Sequence, residues 1–329
     1  MKLKSTSVIL LLLLFLYLGL LSGAIPVLAE DEPPLSGTPA PSPSAAPTAS
    51  PLPTPEPTAS PSPPPSDTPC PTAPPSEETI VSTTITGDSL LDNDTGYVID
   101  PEALVAAGPA FSLPAEGYQI LIIHTHSTEA YTPDGTDVYE PSDDHRTLDT
   151  NYSVVRVGRA LEEALEAYGL NVLHDEGIYD YPSYTSSYVR SGAAIEEYLV
   201  AYPGIFLVID LHRDALGEGD TIYKTVTTAE GTQAAQLMFV MGSDETLEHP
   251  RWQENLSLAL TLQETVAARY PTLMRPANLC GYRYNQQLTP GSLLMEVGTA
   301  GNTLQEAITA VQLFADAVGP LLYSRVAPA

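Results

Sequence analysis

Polar and apolar positions fall into a regular succession from residue 117 onward. Residues 118–123 form a mostly apolar run that ends in His-Thr-His. Residues 151–168 place Val154, Gly158, Leu161, Leu165 and Tyr168 at helical spacing, with Glu162, Glu163 and Glu166 on other faces. That pattern predicts a helix, which Gly169 stops. Residues 170–173 read as a short strand, and 186–201 as a second helix closed by Pro203 and Gly204. Residues 205–211 are almost continuously apolar, the mark of a strand buried on both faces. Further strands are predicted at 222–228, 236–241 and 293–297, with helices at 252–269 and 303–318. Strand and helix keep alternating, which predicts an α/β domain with a mostly parallel central sheet flanked by helices. Residues 79–87 alternate like a short strand and open a lead-in, 79–116, ahead of the main domain, 117–329.

The first 78 residues follow other rules. Lys2 and Lys4 precede an apolar stretch, 8–21, that thins out toward Ala29 and is followed by Glu30, Asp31 and Glu32. The charge order predicts that the rest of the chain lies outside the cytoplasm. Two readings stand for residues 1–30: a membrane anchor, or a signal peptide cut after Ala29. No cysteine follows the stretch, which argues against a lipoprotein. Residues 31–78 carry 18 of the chain's 32 prolines, among Ser, Thr and Ala. Such a segment has little to bury and predicts a disordered, extended linker. At full polyproline extension it spans on the order of 150 Å.

Charge narrows the function. The 329 residues include 41 acidic and 13 basic side chains, a formal charge of −28 at pH 7, and −23 of it belongs to residues 79–329. Phosphate binding needs clustered Lys and Arg, so nucleic acid is excluded as a partner. The same charge predicts weak adhesion to anionic wall polymers. Two cysteines make neither a disulfide framework nor a four-cysteine zinc site. Gly-x-Ser-x-Gly, the P-loop and the dinucleotide fingerprint are all missing from the sequence, which argues against those chemistries. Cys280 has no histidine near it in sequence and is a poor nucleophile.

In open α/β sheets, sites lie at the carboxyl ends of the strands. Three predicted strands end in, or carry, suitable groups: His124-Thr125-His126 with Glu129, Asp210-Leu211-His212-Arg213-Asp214, and Met295-Glu296-Val297-Gly298. Catalytic zinc takes three protein ligands, often two His and a carboxylate, and leaves a position open. One of His124 and His126, with Glu129 and His212, makes such a set, and Glu296 serves as the catalytic base. Glu296 in an apolar strand is costly to bury alone; the bland alternative is a structural salt bridge, with Arg213 as partner. His145, His174 and His249 stand in polar or loop contexts and read as solvated.

The segments Ile122-Ile123-His124-Thr125-His126-Ser127-Thr128-Glu129-Ala130-Tyr131, Val208-Ile209-Asp210-Leu211-His212-Arg213-Asp214 and Tyr284-Asn285-Gln286-Gln287-Leu288-Thr289-Pro290-Gly291-Ser292-Leu293-Leu294-Met295-Glu296-Val297-Gly298 resemble the stage II sporulation protein P family. Gly301-Asn302-Thr303-Leu304-Gln305-Glu306-Ala307 extends the likeness, which covers residues 118–318. The resemblance implies an amidase-like, phosphorylase/hydrolase-like fold. It also implies a zinc-dependent N-acetylmuramoyl-L-alanine amidase that degrades septal peptidoglycan during engulfment, with cleavage of cross-linked stem peptides as well. It implies work alongside stage II sporulation proteins D and M at the membrane. By motif, His124, Glu129 and His212 carry over as zinc ligands and Glu296 as the catalytic carboxylate. His126 is the alternative ligand, or a residue that orients one. Arg213, Asp210 and Asn285 are candidates for substrate contact or support. The stretch Ala277-Asn278-Leu279-Cys280-Gly281-Tyr282-Arg283 departs from the family pattern, and Gln287 stands where Asp is expected. A non-catalytic wall-binding or scaffold module is the competing reading.

Overall fold

A computed structural model describes residues 78–87 and 89–328. The anchor or signal expected at 1–30 and nearly all of the linker expected at 31–78 lie outside the described residues. Among the described residues no helix is long and apolar enough to cross a membrane.

The chain builds strands β1 (Thr79–Thr83), β2 (Leu91–Asn93), β3 (Ile120–Ile123), β4 (Val172–His174), β5 (Leu207–Asp214), β6 (Gly217–Glu218), β7 (Thr221–Ala229), β8 (Thr232–Ala235), β9 (Leu237–Gly242), β10 (Ala277–Cys280) and β11 (Gly291–Thr299). The helices are α1 (Pro101–Ala107), α2 (Val154–Glu166), α3 (Ser187–Ala201), α4 (Trp252–Arg269) and α5 (Leu304–Tyr323). Seven strands form the central sheet in the order β2-β10-β9-β11-β5-β3-β4. The sheet is mixed, which corrects the expected mostly parallel one. β9 runs antiparallel to β11, with Leu294 opposite Val240 and Glu296 opposite Met238. The cause lies in the order of the chain. β7, β8 and β9 follow one another without a crossover helix, so β9 enters the sheet against the direction of β11. A second, smaller sheet is made by β1, β7 and β6, with β8 on β7.

The lead-in is not a separate layer. β2 is the edge strand of the central sheet, parallel to β10, and β1 pairs with β7. Sequence patterning missed β10, because Ala277-Asn278-Leu279-Cys280 is too short to show a period.

Alternation along the central strands assigns each side chain to a face. On β3, Ile120 and Ile122 join the larger core with α2, α4 and α5, whereas Leu121 and Ile123 join the smaller core under α3. On β5, Leu207, Ile209 and Leu211 take the larger core and Val208 the smaller. Asp210 and His212 share the parity of Val208 and so belong to the α3 face. On β11, Leu293, Met295 and Val297 take the larger core, which leaves Glu296 on the α3 face too. The helices are locally well specified. Ser153 caps α2 by accepting from the Val155 amide at 3.3 Å, and Thr303 with Glu306 forms a capping box on α5.

Gly158 lets α2 lie against β3. A Cβ there would stand 2.6 Å from His124 Nε2 and 2.6 Å from His174 Nε2, both on buried rings. Gly158→Val is therefore expected to destabilise the chain by about 3 kcal/mol through overpacking, read as a lower midpoint in urea denaturation with an unchanged slope.

Candidate active site

Three strand ends converge on the α3 side of the sheet. The turn after β3 carries His126 and Glu129, closed by the Glu129 amide donating to the His126 carbonyl at 3.1 Å. β5 carries Asp210, His212 and Arg213. β11 carries Glu296, in register with His212 across the parallel β5–β11 pair. His126, Glu129 and His212 are buried, and one donor atom from each lies within 4.8 Å of the others. Glu129 is the hub: its Oε1 is 3.5 Å from His126 Nδ1 and its Oε2 is 3.4 Å from His212 Nδ1. The Arg213 amide donates to Glu129 Oε2 at 3.2 Å, and Arg146 Nη2 lies 3.5 Å from Oε1. Burial opposes the Glu129 charge, but the two imidazoles and Arg213 overcome it and hold the carboxyl well below its usual pKa.

Asp210 braces the far side of His212. Its Oδ1 lies 2.9 Å from His212 Nε2, a short contact whose direction is poor for a hydrogen bond. The Thr125 amide and hydroxyl donate to Asp210 at 2.8 and 2.7 Å. Burial works against a charged His212, yet Asp210 and Glu129 outweigh it and raise its pKa well above the usual imidazole value. A carboxylate behind an imidazole whose other nitrogen faces a second donor set is the arrangement that orients metal-binding histidines. His126 Nε2 and Glu296 Oε2 are buried without a partner. Two imidazoles, one carboxylate and unsatisfied polar atoms beside them suit a divalent metal with an open position. A second group, Glu78, Asp144 and His145, is largely exposed.

Glu296 sits beside this group with its Oε2 shielded. Burial and the Asp214 charge raise its pKa to about 8, against the opposing pull of His212 and Arg275. Asp214 is itself held by Arg275 Nη1 at 2.8 Å. After Glu296 the strand is irregular, and Gly298 takes φ 65°, where a Cβ would fall 2.8 Å from Asn302 Oδ1. Only glycine fits that turn of the backbone comfortably.

Several expected roles change. His124, the favoured ligand, is not in the group. It follows Ile120 and Ile122 in parity, so it points to the α2 face. There its Nδ1–H donates to the Leu211 carbonyl at 2.9 Å, and its Nε2 accepts from His174 Nε2 at 2.9 Å. His126 lies in the turn beyond the strand, where alternation no longer applies. Arg213 does not pair with Glu296; its guanidinium donates to the carbonyls of Ala130 at 3.1 Å and His145 at 3.0 Å. Asn285 is a support: its amide donates to the Tyr188 carbonyl at 2.8 Å and ties the β10–β11 connection to α3. His174 and His249 are not solvated. Both are shielded by the fold, and burial lowers the pKa of each to about 4.

Sequence reasoning missed the tyrosines. Tyr184 stacks on His126 with ring centroids 4.5 Å apart, Tyr188 lies edge-on to the same ring at 5.4 Å, and Tyr284 is 5.5 Å from Tyr188. The available signal was density: Tyr179, Tyr181, Tyr184 and Tyr188 fall within ten residues.

The His124–His174 pair sets a pH dependence of stability. Burial holds His124 neutral down to about 3 and His174 down to about 4, whereas unfolded imidazoles protonate near 6.5. Between those values the unfolded chain binds more protons, so stability falls as pH drops from about 6.5 toward 4. Each histidine contributes at most about 1.4 kcal/mol per pH unit. A His174→Gln variant is expected to show a shallower decline of its urea midpoint over that window than the parent chain.

The family model for stage II sporulation protein P (SpoIIP) matches residues 75–319. Stage II sporulation protein P of Bacillus subtilis (strain 168) is 28% identical over 212 residues, which are 60% of this chain and 49% of that protein. The chain thus spans about half the length of the curated relative it matches. Among solved structures, the CwlD amidase of Clostridioides difficile, in complex with the GerS lipoprotein, aligns at 16% identity and a TM-score of 0.38, over 63% of this chain and 98% of that one. The catalytic domain of CwlV, an N-acetylmuramoyl-L-alanine amidase of Bacillus (Paenibacillus) polymyxa var. colistinus, aligns at 10% identity and a TM-score of 0.33, over 62% and 98% of the two chains. With residues 75–319 of its 329 matched by the family model, the chain belongs to the stage II sporulation protein P family.

Proposed function

We propose that this chain is a zinc-dependent N-acetylmuramoyl-L-alanine amidase that opens septal peptidoglycan during sporulation. The observation that carries the reading is the buried His126–Glu129–His212 group with the unpaired carboxyl of Glu296 beside it. Membership of the stage II sporulation protein P family supplies the sporulation setting. In that setting the domain acts outside the cytoplasm, held by residues 1–30 or released, with stage II sporulation proteins D and M as partners.

His126, Glu129 and His212 hold the metal in this reading, and His124 supports the sheet behind them. Bound there, Zn2+ supplies a Lewis acid for the scissile carbonyl and lowers the pKa of water toward roughly 7. Asp210 fixes the orientation of His212. Glu296 takes a proton from the attacking water as the new C–O bond forms at the lactyl carbonyl. It then delivers that proton to the L-alanine nitrogen as the C–N bond breaks. Without a metal, burial and Asp214 raise its pKa to about 8 and keep it protonated near neutrality; a cation held beside it would favour the carboxylate form that accepts the water's proton.

Digestion of purified sacculi by the chain tests the reading, with mass spectrometry of the fragments to identify the bond cut. Release of free L-alanine amino termini is expected, and its loss on chelation; undiminished release in chelator removes the metal from the reaction. Cleavage between stem peptides would appear instead as fragments with the lactyl amide intact.

Glu296→Gln is expected to lower kcat by about 10²–10⁴-fold while metal affinity stays near that of the parent. His126→Ala is expected to lose more metal affinity than the roughly 10–100-fold that an outer-shell change costs. His124→Ala should retain metal binding at reduced stability. Competition with a chromogenic chelator measures all three, and metal loss in His124→Ala but not in His126→Ala would reverse the assignment.

A further inference from the structure

Tyr184 occupies a place that the family motifs do not account for. It lies between β4 and α3 and is 49% exposed, yet its ring stacks on His126 at 4.5 Å and 26°. Its hydroxyl is 3.4 Å from His126 Nδ1, the nitrogen that faces Glu129. That contact is long for a hydrogen bond, and it is the hydroxyl's one hydrogen-bond partner among the described residues. A metal held by His126, Glu129 and His212 would compete with the hydroxyl for His126, and the described residues offer the O–H no other acceptor. The group would then stand free at the mouth of the site.

The loop is fixed in place. Arg190 on α3 donates through Nε to the Tyr179 carbonyl at 2.6 Å, through Nη1 to the Thr185 carbonyl at 3.1 Å, and through Nη2 to the Ser183 carbonyl. Asp180 is buried and accepts from the Thr128 hydroxyl at 2.6 Å and from Arg146 Nη1 at 2.7 Å. Arg146 also lies over the Tyr184 ring, 5.0 Å from its centroid. The Tyr179 amide donates to Ser127 Oγ at 3.1 Å. These bonds tie the tyrosine loop to the same turn that carries His126 and Glu129, so hydroxyl and donor group keep one geometry. A donor held in place before reaction costs no reorganisation when charge develops.

From this geometry we infer that Tyr184 is a catalytic residue for the amide hydrolysis proposed above, its hydroxyl donating a hydrogen bond to the scissile carbonyl oxygen as negative charge builds there. The inference rests on that amidase reading. No covalent step is involved: the O–H bond stays intact, and the tyrosine stays protonated throughout.

Tyr184→Phe removes the hydroxyl and retains the stack on His126. Three readouts are compared with the parent: metal affinity by chelator competition, affinity of the metal-loaded chain for a phosphinate analogue of N-acetylmuramoyl-L-alanine, and kcat and KM on soluble muropeptides. The expected result is unchanged metal affinity, about 10–1000-fold weaker analogue binding and a matching fall in kcat, with KM within about twofold. Unchanged kcat and analogue affinity in Tyr184→Phe would overturn the inference and leave the amidase reading intact. A fall in metal affinity would overturn it as well, by making Tyr184 a support of the metal group. A parent chain that binds metal but neither cleaves muropeptides nor binds the analogue would overturn the amidase reading, and the role of Tyr184 with it.

Discussion

The buried carboxylate of Glu129 is the constraint around which the site is built. A lone carboxylate in that position would cost several kcal/mol in lost hydration. The fold offsets the cost with two imidazoles, a backbone amide from Arg213 and the Arg146 guanidinium. The four partners come from three stretches: the turn after β3, strand β5, which supplies His212 and the Arg213 amide, and the loop ahead of α2. Holding Glu129 charged therefore locks those stretches together. The Arg213 side chain, opposite in parity to His212 on β5, reaches instead to the Ala130 and His145 carbonyls.

Negative charge is concentrated around that hub. Glu129, Asp210, Asp214 and Glu296 all lie on strand ends that face the site or directly behind it. His212, Arg275 and Arg146 answer most of it: His212 lies against Asp210 and Glu129, Arg275 against Asp214, and Arg146 against Glu129 and Asp180. Glu296 is the carboxyl left without a partner for its Oε2. Its raised pKa is the local consequence, because a proton is the cheapest neutraliser available to a buried acid. A divalent cation among the same groups is a stronger one. The donor set and the unpaired acid thus have one electrostatic cause.

Much of this was legible in the sequence, for physical reasons that can be named. The three motifs end or occupy apolar strands, and alternation along β5 puts Asp210 and His212 on one face, where their side chains meet. The family resemblance favours His124 as a ligand and keeps His126 as the alternative; the structure groups His126, not His124, with Glu129 and His212. Strand periodicity holds only while the backbone stays extended, and β3 stops at Ile123. The tyrosine loop was illegible for a different reason. Its residues are tied to the site through Asp180 and the Tyr179 amide, long-range contacts to the turn after β3 that leave no period in the sequence. The mixed sheet was hidden for a similar reason. The β7–β8–β9 segment reads as strands in any topology, and only the absence of a helix before β9 hinted that it would run against β11.

The acidic surface and the acidic site act over different ranges. At physiological ionic strength the Debye length is about 8 Å, so exposed carboxylates repel an anionic polymer only over the last stretch of its approach. They lower the rate of encounter more than the strength of the final contact. Inside the site the balance is set by groups shielded from salt, among them Tyr188, His126, His212 and Glu296. Aromatic rings bind apolar and sugar faces without needing opposite charge, and the site is walled by Tyr184, Tyr188 and Tyr284. Under the proposed function, a chain with −23 on residues 79–329 would reach a wall polymer without bulk attraction: slow approach, followed by uncharged contacts around a compact charged centre.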